Sequence, residues 1–380
     1  MQNMTAQKKR LASLDVLRGL DLWLLIIVGP LLNTIFSTGN LESWTFVRDC
    51  IHHVEWEGFV LWDLIMPLFM FMSGITIPFA LARYKGGQKP EKDFYLKLVR
   101  RFVGLFVLGW IVQGNLLDLE WNKFHPVSNT LHAIAIGYVI GALLFVHLKP
   151  KGQIFATSAF FLLYIIGFVL SGDCLRNLDP QTNIAMMIDK AVLGCHRDGV
   201  IWAEDGSWAF ADRYPYTWIF SSLNFVVTIM LGCFAGEIIR SKGDEATPRK
   251  ALILGGTGAA LLAGGMVMSL WFPIIKPIWS SSMTLYAGGL SFLLMAATYY
   301  IVDVRNWGGE WKWAKWFGMN SIAVYTISNV IDFSSITRSL IFGLEHLTGT
   351  WYPLILKLGN LSILIIIMKF LYDRKIFLKV

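Results

Sequence analysis

Charge is scarce in this sequence. Only 16% of its 380 residues are Asp, Glu, Lys or Arg, against about 25% in a soluble domain, which excludes an ordinary water-soluble globule. Cysteine is scarcer still, and four residues are too few for a disulfide scaffold. Cys233 falls within an apolar run and reads as core. Cys174 and Cys195 share one long polar loop and could pair if that loop faced an oxidising compartment. No glycine-rich phosphate loop or GxGxxG turn follows a strand pattern, so nucleotide hydrolysis has no support. No small-residue cleavage site follows the basic Lys8, Lys9 and Arg10, so a cleavable signal peptide is not expected. No convincing internal repeat is seen, which weighs against a transporter built from inverted repeats. No metal site is expected.

What the sequence does contain is apolar and aromatic. Hydrophobic residues make up 55% of it and tryptophan occurs 16 times, with a mean hydropathy of +0.54. Tryptophan favours membrane interfaces. Ten apolar runs are long enough to span a bilayer: about 19–37, 58–81, 98–116, 130–148, 154–171, 217–239, 250–271, 281–302, 317–334 and 351–372. The expected fold is therefore an all-α integral membrane protein, a polytopic bundle of about ten helices. It forms a single domain over 1–380, with one long loop at about 172–216. Of the 33 Lys and Arg, 24 fall in the N-terminal segment, alternate short loops and the C-terminal segment, and 9 fall elsewhere. By the positive-inside rule both termini are cytoplasmic and the 172–216 loop is extracytoplasmic. The net charge of +7 is then a topology signal rather than a nucleic-acid surface.

Three stretches carry chemistry. Residues 50–80 begin with His52, His53, Glu55 and Glu57 and become a long apolar run with Asp63 near its start. A carboxylate inside a span is costly and marks either a structural ion pair or a functional site. Residues 83–101 hold Arg83, Lys85, Lys89, Lys92, Lys97, Arg100 and Arg101, either as a topology determinant or as a landing site for a phosphate-bearing cytosolic ligand. The 172–216 loop mixes Trp, Tyr, Asp and Gly. That mixture suits a carbohydrate, whose C–H faces stack on rings and whose hydroxyls bond to acids. It equally suits a Trp-anchored interfacial segment.

Four signatures, in order along the chain, resemble one family, the membrane acetyltransferases typified by heparan-α-glucosaminide N-acetyltransferase. The first is Ser13, Asp15, Arg18 and Gly19, similar to S-x-D-x-x-R-G. The second is His53, Trp56 and Gly58, similar to H-x-x-W-x-G, followed by Asp63, Leu64, Pro67 and Phe69. The third is Lys276, Trp279, Ser280, Ser281 and Ser282, and the fourth is Gly318, Met319, Asn320 and Ser321 with Tyr325. The resemblance implies transfer of an acetyl group from cytosolic acetyl-CoA to an extracytoplasmic sugar or glycan, with His53 as the catalytic residue. Imidazole suits this role, because it takes a proton near neutral pH and can also accept an acyl group.

Asp63 joins His53 in the catalytic set. Three turns of helix would separate the two, so Asp63 is expected to hold a neighbouring helix or the thioester rather than to orient His53 directly. The phosphates of CoA call for Arg100 and Arg101 first and Arg18 next, with Asn320 from the fourth signature. The acceptor side is expected to use Asn33, Trp56, His132 and Trp279. A lipid bilayer, acyl-CoA and a glycan are the implied partners, with a homodimer open to it and nucleic acid excluded. A bacterial inner membrane is the implied location.

The sequence also departs from the pattern. Gly29 stands where many relatives carry Asn, Leu131-His132-Ala133-Ile134 lacks an expected Arg, and Tyr214 to Trp218 replaces D-P-E-G. All three fall toward the acceptor side, so the acceptor is expected to differ from that of the family. The alternatives are a transporter for a sugar or anionic solute, which does not account for H-x-x-W-x-G, and a non-catalytic partner of glycan-processing enzymes.

Overall fold

The structure, a computed structural model, describes residues 11–378 apart from 40–44, 86–88, 115, 118, 212–215 and 242–244. Lys8, Lys9, Arg10, Tyr214 and Pro215 lie outside the described residues. In chain order the principal helices are α1 (Ala12–Gly39), α2 (Leu61–Ala80), α3 (Lys92–Val112), α4 (Thr130–His147), α5 (Pro150–Leu170), α6 (Ile184–Leu193), α7 (Ser222–Arg240), α8 (Pro248–Met268), α9 (Ser281–Val304), α10 (Lys312–Gly318), α11 (Ser321–Val330) and α12 (Tyr352–Asp373). The strands β1 (Val200–Trp202) and β2 (Trp208–Phe210) form a small antiparallel hairpin in the long loop, with Val200 opposite Phe210.

Eight helical stretches among the described residues are long and apolar enough to cross a membrane: α1, α2, α4, α5, α7, α8, α9 and the region Ser334–Asp373 that contains α12. The protein is an all-α integral membrane protein, as its composition requires. Two of the ten expected runs fall outside these eight. The run at 98–116 belongs to α3, whose first three turns carry Lys92, Asp93, Lys97, Arg100 and Arg101. Those charges set α3 apart from the eight, although its 21 residues rise about 31 Å, the thickness of a hydrocarbon core. The run at 317–334 is broken at Met319 and Asn320 into α10 and α11. The ten residues of α11 rise only about 15 Å, half a hydrocarbon core.

The bundle is centred on α2 and α7. Most of α2 is buried, including Met70, Phe71, Met72 and Ile75. Gly74 faces the backbone of Ile229, and Gly232 faces the backbone of Phe71. A Cβ at either would fall inside the opposing carbonyl, so the two helices are in backbone contact there, as small residues allow between membrane helices. Two of the sequence signatures meet in the same manner. Gly19 of α1 lies against the carbonyl of Ala314, and Gly318 of α10 lies against that of Asp15. The first and fourth signatures are therefore the two halves of one helix contact. All four cysteines are free thiols, so Cys174 and Cys195 do not pair in this structure.

Candidate functional site

The site starts from a short segment that cannot be helical. Gly58 has φ +127, a conformation that L side chains rarely adopt. It lets the chain turn from the short helix Thr45–Ile51 into α2. The amide of Gly58 donates to the carbonyl of Ile274 (2.9 Å), and Glu57 forms an antiparallel bridge with Ile275. This pairing sets the loop before α2 beside the loop between α8 and α9. Trp56 fastens the same turn by donating its indole N–H to the carbonyl of Leu178 (3.2 Å).

Three side chains converge there. Asp63 lies in the opening 3-10 turn of α2, and its Oδ2 accepts the amide of Val60 (3.1 Å). Its Oδ1 lies 2.6 Å from His53 Nδ1 and accepts from Lys276 Nζ at 3.2 Å, and Nζ is 3.3 Å from His53 Nδ1. The expectation that Asp63 sits too far along the helix to orient His53 is overturned. The chain before Val60 is not helical and doubles back, so ten residues of sequence close to hydrogen-bond distance. The Asp63 and Lys276 side chains are 2% and 7% exposed, whereas that of His53 is 47% exposed. The acid and the amine are thus fixed and dry, and the imidazole is reachable. A neutral imidazole that donates from Nδ1 to Asp63 presents Nε2 as an acceptor. Burial pulls the Lys276 ammonium down to about 8, against the opposing pull of the adjacent Asp63 carboxylate.

His53 and Lys276 open onto a cavity of about 320 Å³. Aromatic rings dominate its wall: Trp62 and Phe69 from α2, Tyr325 from α11, and Tyr216 and Trp218 from the end of the long loop. Asn129 and Gln113 supply polar groups at the junction of α3 and α4, where Asn129 Nδ2 donates to Gln113 Oε1 (3.2 Å). Leu25 also lines the cavity, from a π-helical turn, Leu24–Val28, inside α1. Such turns often occur where a helix meets a functional site. Gly29, one position after that turn, has no Cβ because the Trp62 ring occupies the space. The departure at Gly29 and the presence of Trp62 are thus one feature of packing.

Several expected site residues lie elsewhere. His132 is fully buried and turned toward α3. Its Nδ1 accepts the amide of Ser128 (3.1 Å) and its Nε2 donates to the carbonyl of Phe106 (3.1 Å), so neither nitrogen remains for a substrate. Trp279 is 1% exposed, with φ +54, and its indole donates to Thr228 (3.1 Å) inside the core. Asn320 is buried, and its amide holds the C-terminal segment through Ile376 O (2.9 Å) and Leu378 N (3.2 Å). Asn33 is exposed on α1 and does not line the cavity. Trp56 packs with Leu178 and Ile275 rather than facing the cavity. Arg18 donates to the carbonyl of Met72 (3.2 Å), tying α1 to α2.

Arg100 and Arg101 do share a cavity. With Arg83, Lys97 and Tyr138 they line a space of about 670 Å³. The Arg101 guanidinium lies 3.9 Å from the Tyr138 ring centre, and its Nε is buried without a hydrogen-bond partner. Both cavities are bounded by α2 and α4, with α3 running from one to the other. Gln113, just past the end of α3, lines the first, and Arg101 lies twelve residues earlier, about 18 Å along the axis.

Lys276, Trp62, Tyr216 and Trp218 were not singled out as site residues from sequence. Lys276 carried a signal, since it is a lone cation in the apolar stretch from Phe272 to Trp279 and a buried charge needs a partner. Tyr216 and Trp218 lie in the segment that departs from the family pattern, whereas Trp62 carried no signal, because aromatic residues are abundant throughout the chain.

A family model described as a domain of unknown function (DUF5009) matches residues 10–175. The chain is 24% identical to heparan-alpha-glucosaminide N-acetyltransferase of Homo sapiens over 435 aligned positions, covering 99% of this chain and 61% of that protein. It is 24% identical to the Mus musculus protein of the same name over 375 positions, covering 85% of this chain and 54% of that protein. The chain thus spans a little over half the length of these relatives and is distantly similar to them over most of its own.

Proposed function

We propose that this distant relative of the heparan-alpha-glucosaminide N-acetyltransferases is a membrane acetyltransferase. It moves an acetyl group from acetyl-CoA to an amino sugar or glycan bound at the His53 cavity. The observation that carries this reading is the His53–Asp63–Lys276 cluster, a reachable imidazole braced by a buried ion pair beside an aromatic-walled cavity. In direct transfer the acceptor nitrogen attacks the thioester carbon, the C–S bond breaks and CoA leaves as the thiolate. His53 Nε2 takes the proton released from the nitrogen and can pass it to the thiolate. Asp63 fixes the tautomer and ring orientation, and Lys276 balances the carboxylate charge in a dry site.

The positive-inside distribution of Lys and Arg supports a cytosolic position for the Arg100–Arg101 end and the opposite face for the His53 cavity. The two cavities on α2, α3 and α4 then suit a long donor, with phosphates at the arginines and the thioester toward His53.

Purified protein in detergent mixed with radiolabelled acetyl-CoA tests the reading. CoA release that glucosamine accelerates, with label appearing on the sugar, is the expected result. Label retained on the protein without acceptor would assign an acyl-histidine, and absence of any CoA release would reject the enzyme in favour of a transporter. The donor end has its own test. Each charge-assisted contact to a phosphate is worth roughly 1.5–3 kcal/mol. Arg100→Ala with Arg101→Ala should therefore weaken CoA binding more than tenfold, as measured by calorimetry. Unchanged affinity would leave these arginines as topology signals alone.

A further inference from the structure

The long loop contains a second polar cluster, and both of its carboxylates bond to Trp218 on the cavity wall. Asp189 of α6 is fully buried. Its Oδ2 accepts the amide of Trp218 (2.7 Å) and its Oδ1 that of Ile219 (3.0 Å). Asp198 accepts the Trp218 indole N–H on Oδ2 (2.9 Å), and its Oδ1 lies 3.9 Å from His125 Nδ1. Arg197, 1% exposed, donates to the sulfur of Met186 and lies 5.9 Å from the Phe210 ring centre. The charge of this buried guanidinium acts on both acids, and His125 lies beside Asp198. Burial raises both carboxyls to about 6 despite their hydrogen bonds to Trp218.

Such a cluster is a poor device for stability, because desolvating ions commonly offsets their attraction. Its geometry explains it better as a clamp. The backbone and the ring of Trp218 are each held by a separate carboxylate, and that ring walls the His53 cavity next to Tyr216.

We propose that Asp189 and Asp198 are positioning residues that hold the Trp218 ring in the wall of the cavity and so fix the shape of the acceptor site beside Tyr216. This rests on the acetyl-transfer reading above. Trp218 is 3% exposed, so its orientation depends on these bonds rather than on solvent. A ring left free to turn keeps the chemistry of His53 but loses the shape that grips the acceptor.

The full-length protein in detergent, with labelled acetyl-CoA and glucosamine as the acceptor probe, tests this. Asp198→Ala leaves the buried indole N–H without an acceptor. It should raise the KM for glucosamine about tenfold, with kcat within about twofold and the KM for acetyl-CoA unchanged. Asp198→Asn, whose amide oxygen can still accept the indole N–H, should recover most of that loss. Asp189→Asn sets an NH2 group against a backbone N–H. It should therefore lower hydrogen-exchange protection at Trp218 and Ile219 at least tenfold while the middle of α7 stays protected. Equal kinetics for the Ala and Asn variants, an unchanged glucosamine KM in Asp198→Ala, or unchanged exchange in Asp189→Asn would overturn the proposal. If the wild type transfers nothing to glucosamine, the acetyl-transfer reading is what fails. The exchange measurement then decides by itself whether the carboxylates hold Trp218.

Discussion

Replacing His53 with alanine is expected to abolish acetyl transfer while leaving the protein folded. A positioned general base is worth roughly 10²–10⁴-fold in rate, and a covalent role would make the loss larger. Folding should survive because the His53 side chain is nearly half exposed and buries little apolar area. Its removal leaves Asp63 bonded to Lys276 and to the amide of Val60, so no buried carboxylate is stranded. His52→Ala is the control. His52 is exposed and does not line the cavity, so that variant should keep most of the wild-type rate. Turnover of labelled acetyl-CoA, with thermal unfolding in detergent measured alongside, separates lost chemistry from lost structure. A His53→Ala protein with near-normal turnover would remove this loop as the reaction centre.

The second large effect is expected at the ion pair beneath the imidazole. Asp63→Asn can still accept a hydrogen bond from His53, but it leaves the Lys276 ammonium buried and uncompensated. Breaking one side of a buried pair costs roughly 3–5 kcal/mol, so Asp63→Asn should lower the unfolding midpoint markedly and cut the rate at least a hundredfold. Lys276→Met in the same chain removes the stranded charge. The double variant should be more stable than the sum of the two single changes, by on the order of 1–3 kcal/mol of coupling. Strict additivity would mean that the pair does not interact in solution.

The pH dependence has a definite sign. Lys276 is held at about 8 in the fold against 10.5 unperturbed. Between those values the unfolded chain binds a proton that the folded protein does not, so stability should rise with pH across that window. Activity should move the other way, falling as pH climbs through about 8 and the ammonium beside Asp63 is lost. Lys276→Met should flatten the stability trend.

The membrane class was legible from composition, because each apolar residue reports its own solvent. His53 and Asp63 were legible one at a time, since a charge near a span and a reactive imidazole are local oddities. Helix continuity was less legible at α3 and α11, where a charged start and the break at Asn320 interrupt runs that hydropathy alone reads as unbroken. Motif membership also proved weaker than geometry. Trp279 and Asn320 belong to signatures, yet their polar atoms bond to Thr228 and to the C-terminal segment. His132 reads as an acceptor-binding residue, and both its nitrogens are engaged with backbone.

By itself the sequence determined that this is an all-α membrane protein, distantly related to an acetyltransferase family, with a histidine and an aspartate at the mouth of its second span. Hydropathy and short motifs carry that much because they depend on neighbours within a few turns. Only the tertiary structure decided that Asp63 braces His53 and that Lys276, 223 residues away from His53, completes the cluster. It also decided that Trp62, Tyr216 and Trp218 wall the cavity. The bridge between Glu57 and Ile275 and the backbone contact of α2 with α7 set those distances. Contacts of that kind depend on how whole helices stack, and no local pattern of residues encodes them.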